Sequence, residues 1–394
     1  MDSKLQNGLI NPLWLPDDII GLVMEFLSAE DLKQCTLVAR IFRHYAQPLL
    51  FDFVTVDISL RVLSFNSFTI LRCRDLPAFL TSNPDRGFLF KHLKCTATVN
   101  DITSLYPVLP YFTQLRSLTL SCGLAPPLFQ HMRFQNFPML KKLVLTDISS
   151  IAAVVQSFGL IPREHEWEEL SLTVVKNYIE NSDDLPPEPI FLPPIRTFRL
   201  FDAQGRSPMS ISLLLGYLHP MLTNLHRLIA STSGFHSADI IRLIEDNVST
   251  LKSLDTSQVY DTDVLLPRLL KNNIMHDIVL RLPIVPTAVA NYLTTLEEIF
   301  SDPQCFVSMR QISFVLKSNY SLNELGDHCG LWARLSESLS RFPNLDTVTI
   351  LLELSEMMDW DWFESMSISA NDLDVYPSFE SLRKMGRLQV AGKT

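Results

Sequence analysis

The sequence predicts an α/β fold in which an N-terminal three-helix module precedes an open, curved solenoid of parallel strands with outer helices. Two observations predict it: short apolar helices crowd residues 14–51, and a six-residue apolar pattern recurs from residue 90 at steps of 24 to 36 residues. Helical signals fill the segments between copies. A mass of 44.9 kDa suits a small module followed by a long array.

Composition narrows the class of protein. The net charge of -10, from 33 basic and 43 acidic side chains, disfavours a general nucleic-acid binder, because phosphate contacts need a basic field. Six cysteines without a C-x-x-C pair are typical of reduced intracellular thiols. The N-terminus lacks the features of a secretory signal, and Pro208, Pro220 and Asn224 interrupt the longest uncharged run. We therefore expect a protein of the cytoplasm, the nucleus or both, with no nucleic-acid or membrane partner.

The first predicted helix begins at Pro16, which suits the first turn. Asp17 and Asp18 place negative charge where the helix dipole favours it. Apolar residues then recur at helical spacing: Ile19, Ile20, Val23, Phe26 and Leu27.

The next two helices follow at once. Ser28 and Asp31 resemble a capping box with a shortened acid, and an apolar stripe follows at Leu32, Cys35 and Val38. A third helix is predicted from about Arg40 toward Gln47, ending before Pro48. About 40 residues cannot hold a self-sufficient core without disulfides, metal or a partner. We expect the rest of the chain and another protein to cover these helices.

Residues 14–51 resemble the F-box motif, the adaptor-binding module of SCF-type cullin-RING ubiquitin ligases. The resemblance rests on Leu15-Pro16, Asp18, Ile19, Phe26-Leu27, Asp31-Leu32, Val38, Arg40 and Phe42. Ala39 and Phe42 stand where the family often has Cys and Trp, and both remain apolar. The resemblance implies that the module docks on the adaptor subunit and through it on a cullin. The implied adaptor contacts are Leu15, Pro16, Ile19, Ile20, Val23, Phe26, Leu27, Leu32, Cys35, Val38 and Phe42.

The recurring pattern has the form apolar, two variable, apolar, one variable, apolar. Its copies begin at residues 90, 115, 140, 167, 195, 225, 251, 275, 309 and 345, from FKHLKC to LDTVTI. Most of the steps fit leucine-rich repeats, in which each unit is one strand and a helical return. The copies are degenerate, because Gly123 and Ile148 stand where the Asn or Cys of such repeats is expected.

Helix start signals lie between the copies. Pro208, Ser237 and Pro286 each precede an apolar periodic run. Alternation of strand and helix predicts parallel neighbouring strands.

The remaining segments complete the predicted organisation: a linking or capping segment at 52–89, a solenoid at 90–355, and a C-terminal cap with a flexible tail at 356–394. Within the solenoid, ENSDDLPPEPIFLPP at 180–194 reads as a surface loop or as a clamp over a bound target. Trp360 and Trp362 either cap the last strand or belong to a docking peptide, and disorder is expected beyond Arg387.

The sequence offers no catalytic motif. G-x-S-x-G and G-x-G are absent, and Arg387 stands where a phosphate-binding loop ending in Gly392-Lys393-Thr394 would need its first glycine. Glu169 stands where a zinc helix beginning at His165-Glu166 would need its second histidine. We expect no enzyme activity, no cofactor and no metal.

Residues flanking the middle apolar position of each strand should face the concave side of the solenoid. Hydroxyls and charges of both signs suit hydrogen bonding to a protein, and an arginine beside an aromatic residue is typical of interface centres. The predicted target contacts are Ser117, Thr119, Lys142, Val144, Glu169, Ser171, Arg199, Phe201 and Asp255.

Two functions follow. The resemblance implies a substrate-recognition subunit of an SCF-type ligase, which holds an unknown target protein while other subunits transfer ubiquitin. The alternative is a leucine-rich-repeat interaction scaffold whose N-terminal helices only cap the array. The scaffold predicts no exposed apolar patch at Ile19, Ile20, Val23 or Leu32.

Overall fold

The structure is a computed structural model that describes residues 16–57, 69–72, 75–96, 102–174, 192–202, 208–231, 237–256, 274–282, 286–303, 306–317, 328–353 and 379–393. The chain divides into two compact units. The first comprises residues 1–120 and 131–140, and the second comprises residues 121–130 and 141–394.

The first unit opens with three helices: α1 (Asp17–Glu25), α2 (Ala29–Val38) and α3 (Arg40–Asp52). They share a small core of Ile20, Met24, Leu32, Ala46 and Leu50.

Ser28 caps α2 as the sequence predicted. The Asp31 backbone N–H donates to Ser28 Oγ at 3.2 Å, and Ser28 Oγ donates to Asp31 Oδ2 at 2.6 Å. The shortened acid therefore contacts the capping hydroxyl itself.

The predicted end of the third helix was wrong, because α3 continues through Pro48 to Asp52. Proline removes one interior helix hydrogen bond. However, Ala46 and Leu50 on either side of Pro48 are buried in the module's core. Their burial outweighs the local preference for ending the helix.

The rest of the first unit is α/β. Its elements are β1 (Phe53–Asp57), β2 (Thr69–Arg72), α4 (Asp75–Ser82), a 3-10 helix (Pro84–Leu89), β3 (His92–Cys95), a 3-10 helix (Thr103–Tyr111), β4 (Ser117–Ser121) and a 3-10 helix (Phe134–Asn136). The strands lie parallel in the order β2-β1-β3-β4. The repeat pattern predicted β3 and β4, whereas β1 and β2 lie in the segment assigned to linking or capping.

The second unit carries nine strands among its described residues, and each pairs in parallel with the next along the chain. They are β5 (Lys142–Ile148), β6 (Glu169–Val174), β7 (Thr197–Asp202), β8 (Arg227–Ser231), β9 (Ser253–Thr256), β10 (Asp277–Arg281), β11 (Gln311–Lys317), β12 (Thr347–Glu353) and β13 (Leu388–Lys393). The sheet order runs from β5 to β13 without closing. The α/β class, the parallel sheet and its open form are confirmed.

Helices return the chain between strands, as predicted. They are α5 (Ala125–His131), α6 (Ile151–Gly159), α7 (Pro208–Leu218), α8 (Ser237–Asp246), α9 (Pro286–Phe300), α10 (Cys329–Ser340) and α11 (Glu380–Lys384), with 3-10 turns at Cys122–Leu124 and His219–Leu222. The three start signals at Pro208, Ser237 and Pro286 are confirmed.

The strands share one register, which sorts their side chains. Phe198, Leu228, Leu254, Ile278 and Ile312 align on successive strands, and all are buried. Because side chains alternate along a strand, the residues that flank these positions belong to the opposite face of the sheet. We call that opposite face the polar face.

The C-terminus differs from the expected tail, because Leu388–Lys393 forms β13 and pairs in parallel with β12. Leu15, most of the 180–194 segment, Trp360 and Trp362 lie outside the described residues. Among the helices that the structure describes, none has the length and apolar character needed to span a bilayer.

One glycine marks a close approach within the first unit. A Cβ at Gly87 would lie 2.6 Å from Tyr111 Cβ and 2.7 Å from the Tyr111 carbonyl carbon, so backbone would have to move. We expect Gly87→Ala to lower the free energy of unfolding by about 2 kcal/mol or more, measured by urea denaturation.

Gly216→Ala is the matched control, because a Cβ there meets nothing within 4 Å and Gly216 lies inside α7. Alanine should stabilise this helix by about 0.5–1 kcal/mol. Equal effects of the two substitutions would contradict the packing of Gly87 against Tyr111.

Candidate functional site

Helix α1 carries two apolar stripes. Ile20 and Met24, four residues apart, are buried in the module's core, with Leu27 partly buried beside them. A second stripe at i, i+3, i+4 and i+7 consists of Ile19, Leu22, Val23 and Phe26, and all four are exposed. The Phe26 side chain is 86% exposed. A helix that is apolar on two sides needs a partner for each side. Among the described residues, the module's core covers the first stripe, and the second stripe stays exposed.

Further apolar exposure lies where α2 meets α3. Leu37 is 74% exposed and Val38 is 72% exposed, at the end of α2, and Ile41 in the first turn of α3 is also exposed. We call the seven exposed residues the outer apolar set: Ile19, Leu22, Val23, Phe26, Leu37, Val38 and Ile41.

The structure sorts the predicted adaptor contacts into three groups. Pro16, Ile19, Val23, Phe26 and Val38 are exposed. Leu27, Cys35 and Phe42 are half-buried against the module's core.

Ile20 and Leu32 belong to that core, with exposed fractions of 5% and 2%, so their side chains support the surface and do not form it. Sequence reasoning missed Leu22, Leu37 and Ile41. The spacing of Leu22 three residues after Ile19 was a signal that could have found it.

Helix α3 packs on the remainder of the first unit. It contacts β1 and the 3-10 helix Pro84–Leu89, and Arg86 Nη1 donates to Gln47 Oε1 at 2.6 Å. The module is therefore anchored through α3, while the outer stripe of α1 stays exposed.

Three of the predicted target contacts come together on the polar face. Glu169 Oε1 lies 2.8 Å from Lys142 Nζ and 2.6 Å from Arg199 Nε, on three successive strands. The carboxylate is 19% exposed and bridges two cations, so this ion cluster has one excess positive charge. Lys142 and Arg199 can therefore donate hydrogen bonds to a carboxylate or carbonyl oxygen of a bound protein.

The other predicted contacts are spread more widely. Ser117 and Ser171 are buried, and Thr119, Val144 and Phe201 are half-buried. Asp255 is two strands away from Arg199, since Ile229 lies between them in register. It lines a cavity of about 340 Å³ with Arg227, Ser253, Asp277, Ile278, Val279, Gln311 and Ser313. The polar face thus holds two separate features: Arg199 belongs to the ion cluster, and Asp255 lines the cavity.

Within the described ranges, no group of three or more His, Cys, Asp or Glu side chains is placed to hold a metal ion.

The ion cluster yields a stability prediction. Glu169→Gln keeps the shape of the side chain but leaves Lys142 and Arg199, on the two flanking strands, without a shared counter-charge. We expect the free energy of unfolding to fall by about 1 kcal/mol, because these side chains are only partly screened by water. Urea denaturation of the full chain measures it.

Glu166→Gln is the matched control. Glu166 is 77% exposed and its contact to Lys141 is 3.9 Å long, so its removal should change the free energy of unfolding by about zero. If the two glutamine variants are equally stable, the bridging role of Glu169 is refuted.

A scan of the chain against protein-family models found no matching family, and no curated protein matched the sequence significantly.

Proposed function

We propose that this chain is the substrate-recognition subunit of an SCF-type cullin-RING ubiquitin ligase, in which α1–α3 bind the adaptor subunit and the repeat array binds a target protein. The observation that carries the proposal is the outer apolar set on α1–α3. It accords with the F-box resemblance of residues 14–51, which implies an apolar docking surface there.

The concentration of exposed apolar side chains supports docking at α1–α3. Among the described residues, twelve large apolar side chains are exposed, and seven of them belong to the outer apolar set. The other five are Phe88, Met139, Leu213, Val307 and Met385. Scattered apolar residues are ordinary on protein surfaces, whereas a concentrated patch is typical of an interaction site.

The internal core of the module supports the same role. Ile20, Met24, Leu32, Ala46 and Leu50 hold the three helices together from inside, and Ser28 fixes the start of α2. Side chains on the outside are thereby held in place before binding, which lowers the entropy cost of association. A partner that covers them would bury the second apolar stripe of α1.

The target-binding half of the proposal rests on the degenerate leucine-rich repeats and their polar face. Charges of both signs and several hydroxyls suit a protein surface better than an apolar small molecule. The subunit would act through proximity, raising the effective concentration of target lysines near the conjugating enzyme. It would itself carry no catalytic group, and it would work in the cytoplasm, the nucleus or both.

The alternative, an interaction scaffold capped by its own helices, is favoured by the contacts of α3 with the rest of the first unit. Capping by α3 leaves the outer stripe of α1 without a role. The two functions therefore differ in whether that stripe binds anything.

Adaptor binding can be tested with a double substitution, Val23→Ser with Phe26→Ser. Both side chains are exposed, so the melting temperature should stay within about 2 °C of the unmodified chain. Affinity for a recombinant SCF adaptor subunit, measured by isothermal titration calorimetry, should fall at least 100-fold, because two central apolar contacts are lost.

The control is Leu213→Ser with Val307→Ser, which removes two exposed apolar side chains from other parts of the chain. It should leave adaptor affinity unchanged. If the unmodified chain does not bind the adaptor, or if both double variants bind it equally well, the ligase proposal fails and the scaffold takes its place.

A further inference from the structure

Five basic residues lie side by side at the start of β7–β11. Each is the second residue of a repeat copy, in the position immediately before the strand begins. We call them the basic row: Arg196, His226, Lys252, His276 and Arg310.

Backbone hydrogen bonds hold the row together. The N–H groups of His226, Lys252, His276 and Arg310 each donate to the carbonyl of the preceding member, at 2.8, 2.8, 2.7 and 2.8 Å. Members are therefore about one strand spacing apart, roughly 4.8 Å. The five residues span about 19 Å across the sheet.

The side chains of the row are accessible. Arg196, Lys252 and Arg310 are exposed, and His226 and His276 are half-buried. Partial burial of His226 lowers its pKa, and the positive charges of Lys252 and Arg196 lower it further. The positive charges of Lys252 and Arg196 thus disfavour protonation of His226, and a bound anion would offset that effect.

Side chains of the following segment hold the loop before His226 in place. Buried Asn247 accepts a hydrogen bond from the Leu225 N–H at 2.7 Å and donates one to the Leu222 carbonyl at 2.7 Å. Thr250 Oγ1 donates to the Leu225 carbonyl at 2.9 Å. These bonds fix the backbone next to His226 and Lys252, so the middle of the row is organised before any ligand arrives.

Carboxylates bound the row at both ends. The Arg196 N–H donates to the Glu168 carbonyl at 3.1 Å, and the Asp346 N–H donates to the Arg310 carbonyl at 2.8 Å, so Glu168 and Asp346 occupy the next positions of the same ladder. Asp277 follows His276 along β10. The uninterrupted run of basic residues is therefore limited to these five positions, although Lys141 lies beyond Glu168 in the same ladder.

We infer that the basic row binds an acidic segment of a partner protein, through carboxylates on a stretch of about six residues. An extended chain rises about 3.3 Å per residue, so six residues match the length of the row. Lysine and arginine side chains favour carboxylate oxygens through charge-assisted hydrogen bonds.

The surroundings favour an acidic polypeptide over a nucleic acid. A nucleic acid continues past the row as a polyanion and would meet Glu168 at one end and Asp346 at the other. The net charge of -10 adds a general repulsion against long polyanions. A short acidic segment with neutral flanks avoids both costs. This inference goes beyond the ligase proposal and does not depend on adaptor binding.

The test uses the full chain and a fluorescein-labelled peptide of six alternating Glu and Asp residues with Gly-Ser flanks. Fluorescence anisotropy measures its dissociation constant in low salt, beside a Gln/Asn peptide of the same length. The row variant combines Arg196→Gln, Lys252→Gln and Arg310→Gln. The control variant combines Arg242→Gln, Arg334→Gln and Arg341→Gln, three exposed arginines on or next to helices, with the same change of net charge.

We expect the acidic peptide to bind the unmodified chain and the neutral peptide not to bind. The row variant should weaken acidic-peptide binding at least tenfold, the single variant Lys252→Gln by about threefold, and the control variant by less than twofold. Three results would each overturn the inference. They are absence of acidic-peptide binding, equal losses in the two triple variants, and tighter binding of a labelled octathymidine that the row variant abolishes.

Discussion

The second unit depends on the shared register of its parallel strands. The aligned apolar residues Phe198, Leu228, Leu254, Ile278 and Ile312 are all buried, so a slip of one residue in any strand would turn a buried side chain to the polar face. The same register brings Lys142, Glu169 and Arg199 into one ion cluster and aligns the basic row. Both polar features are thus consequences of how the apolar positions pair.

The repeat pattern in the sequence predicted much of this array. All ten copies of the pattern begin a strand at their third residue, from His92 in β3 to Thr347 in β12. Two further copies of the pattern, FDFVTV at 51–56 and MGRLQV at 385–390, were overlooked and belong to β1 and β13. A copy in the same register is absent from β2, which pairs in parallel with β1 and has Thr69 opposite the middle apolar residue Val54. The prediction that the third helix ends before Pro48 was wrong, because burial of Ala46 and Leu50 overrides the local preference of proline for ending a helix.

The candidate sites were harder to predict. Helical periodicity identifies the apolar residues of α1, but it does not tell which of two stripes faces the module's own core. Ile20 and Ile19 are adjacent and equally apolar, yet one is buried and the other exposed. The basic row was missed because its members are 24 to 34 residues apart in the sequence, and only strand pairing brings them together.

The outer apolar set is the central feature of the functional account, which holds that its side chains are exposed in the free chain and covered by the adaptor. Hydroxyl-radical footprinting with mass spectrometry measures this side chain by side chain. The account predicts rapid oxidation of Phe26 and Leu37 in the free chain and strong protection of both with adaptor present, while Leu213 is unaffected. Slow oxidation of Phe26 in the free chain, or rates that the adaptor does not change, would contradict it.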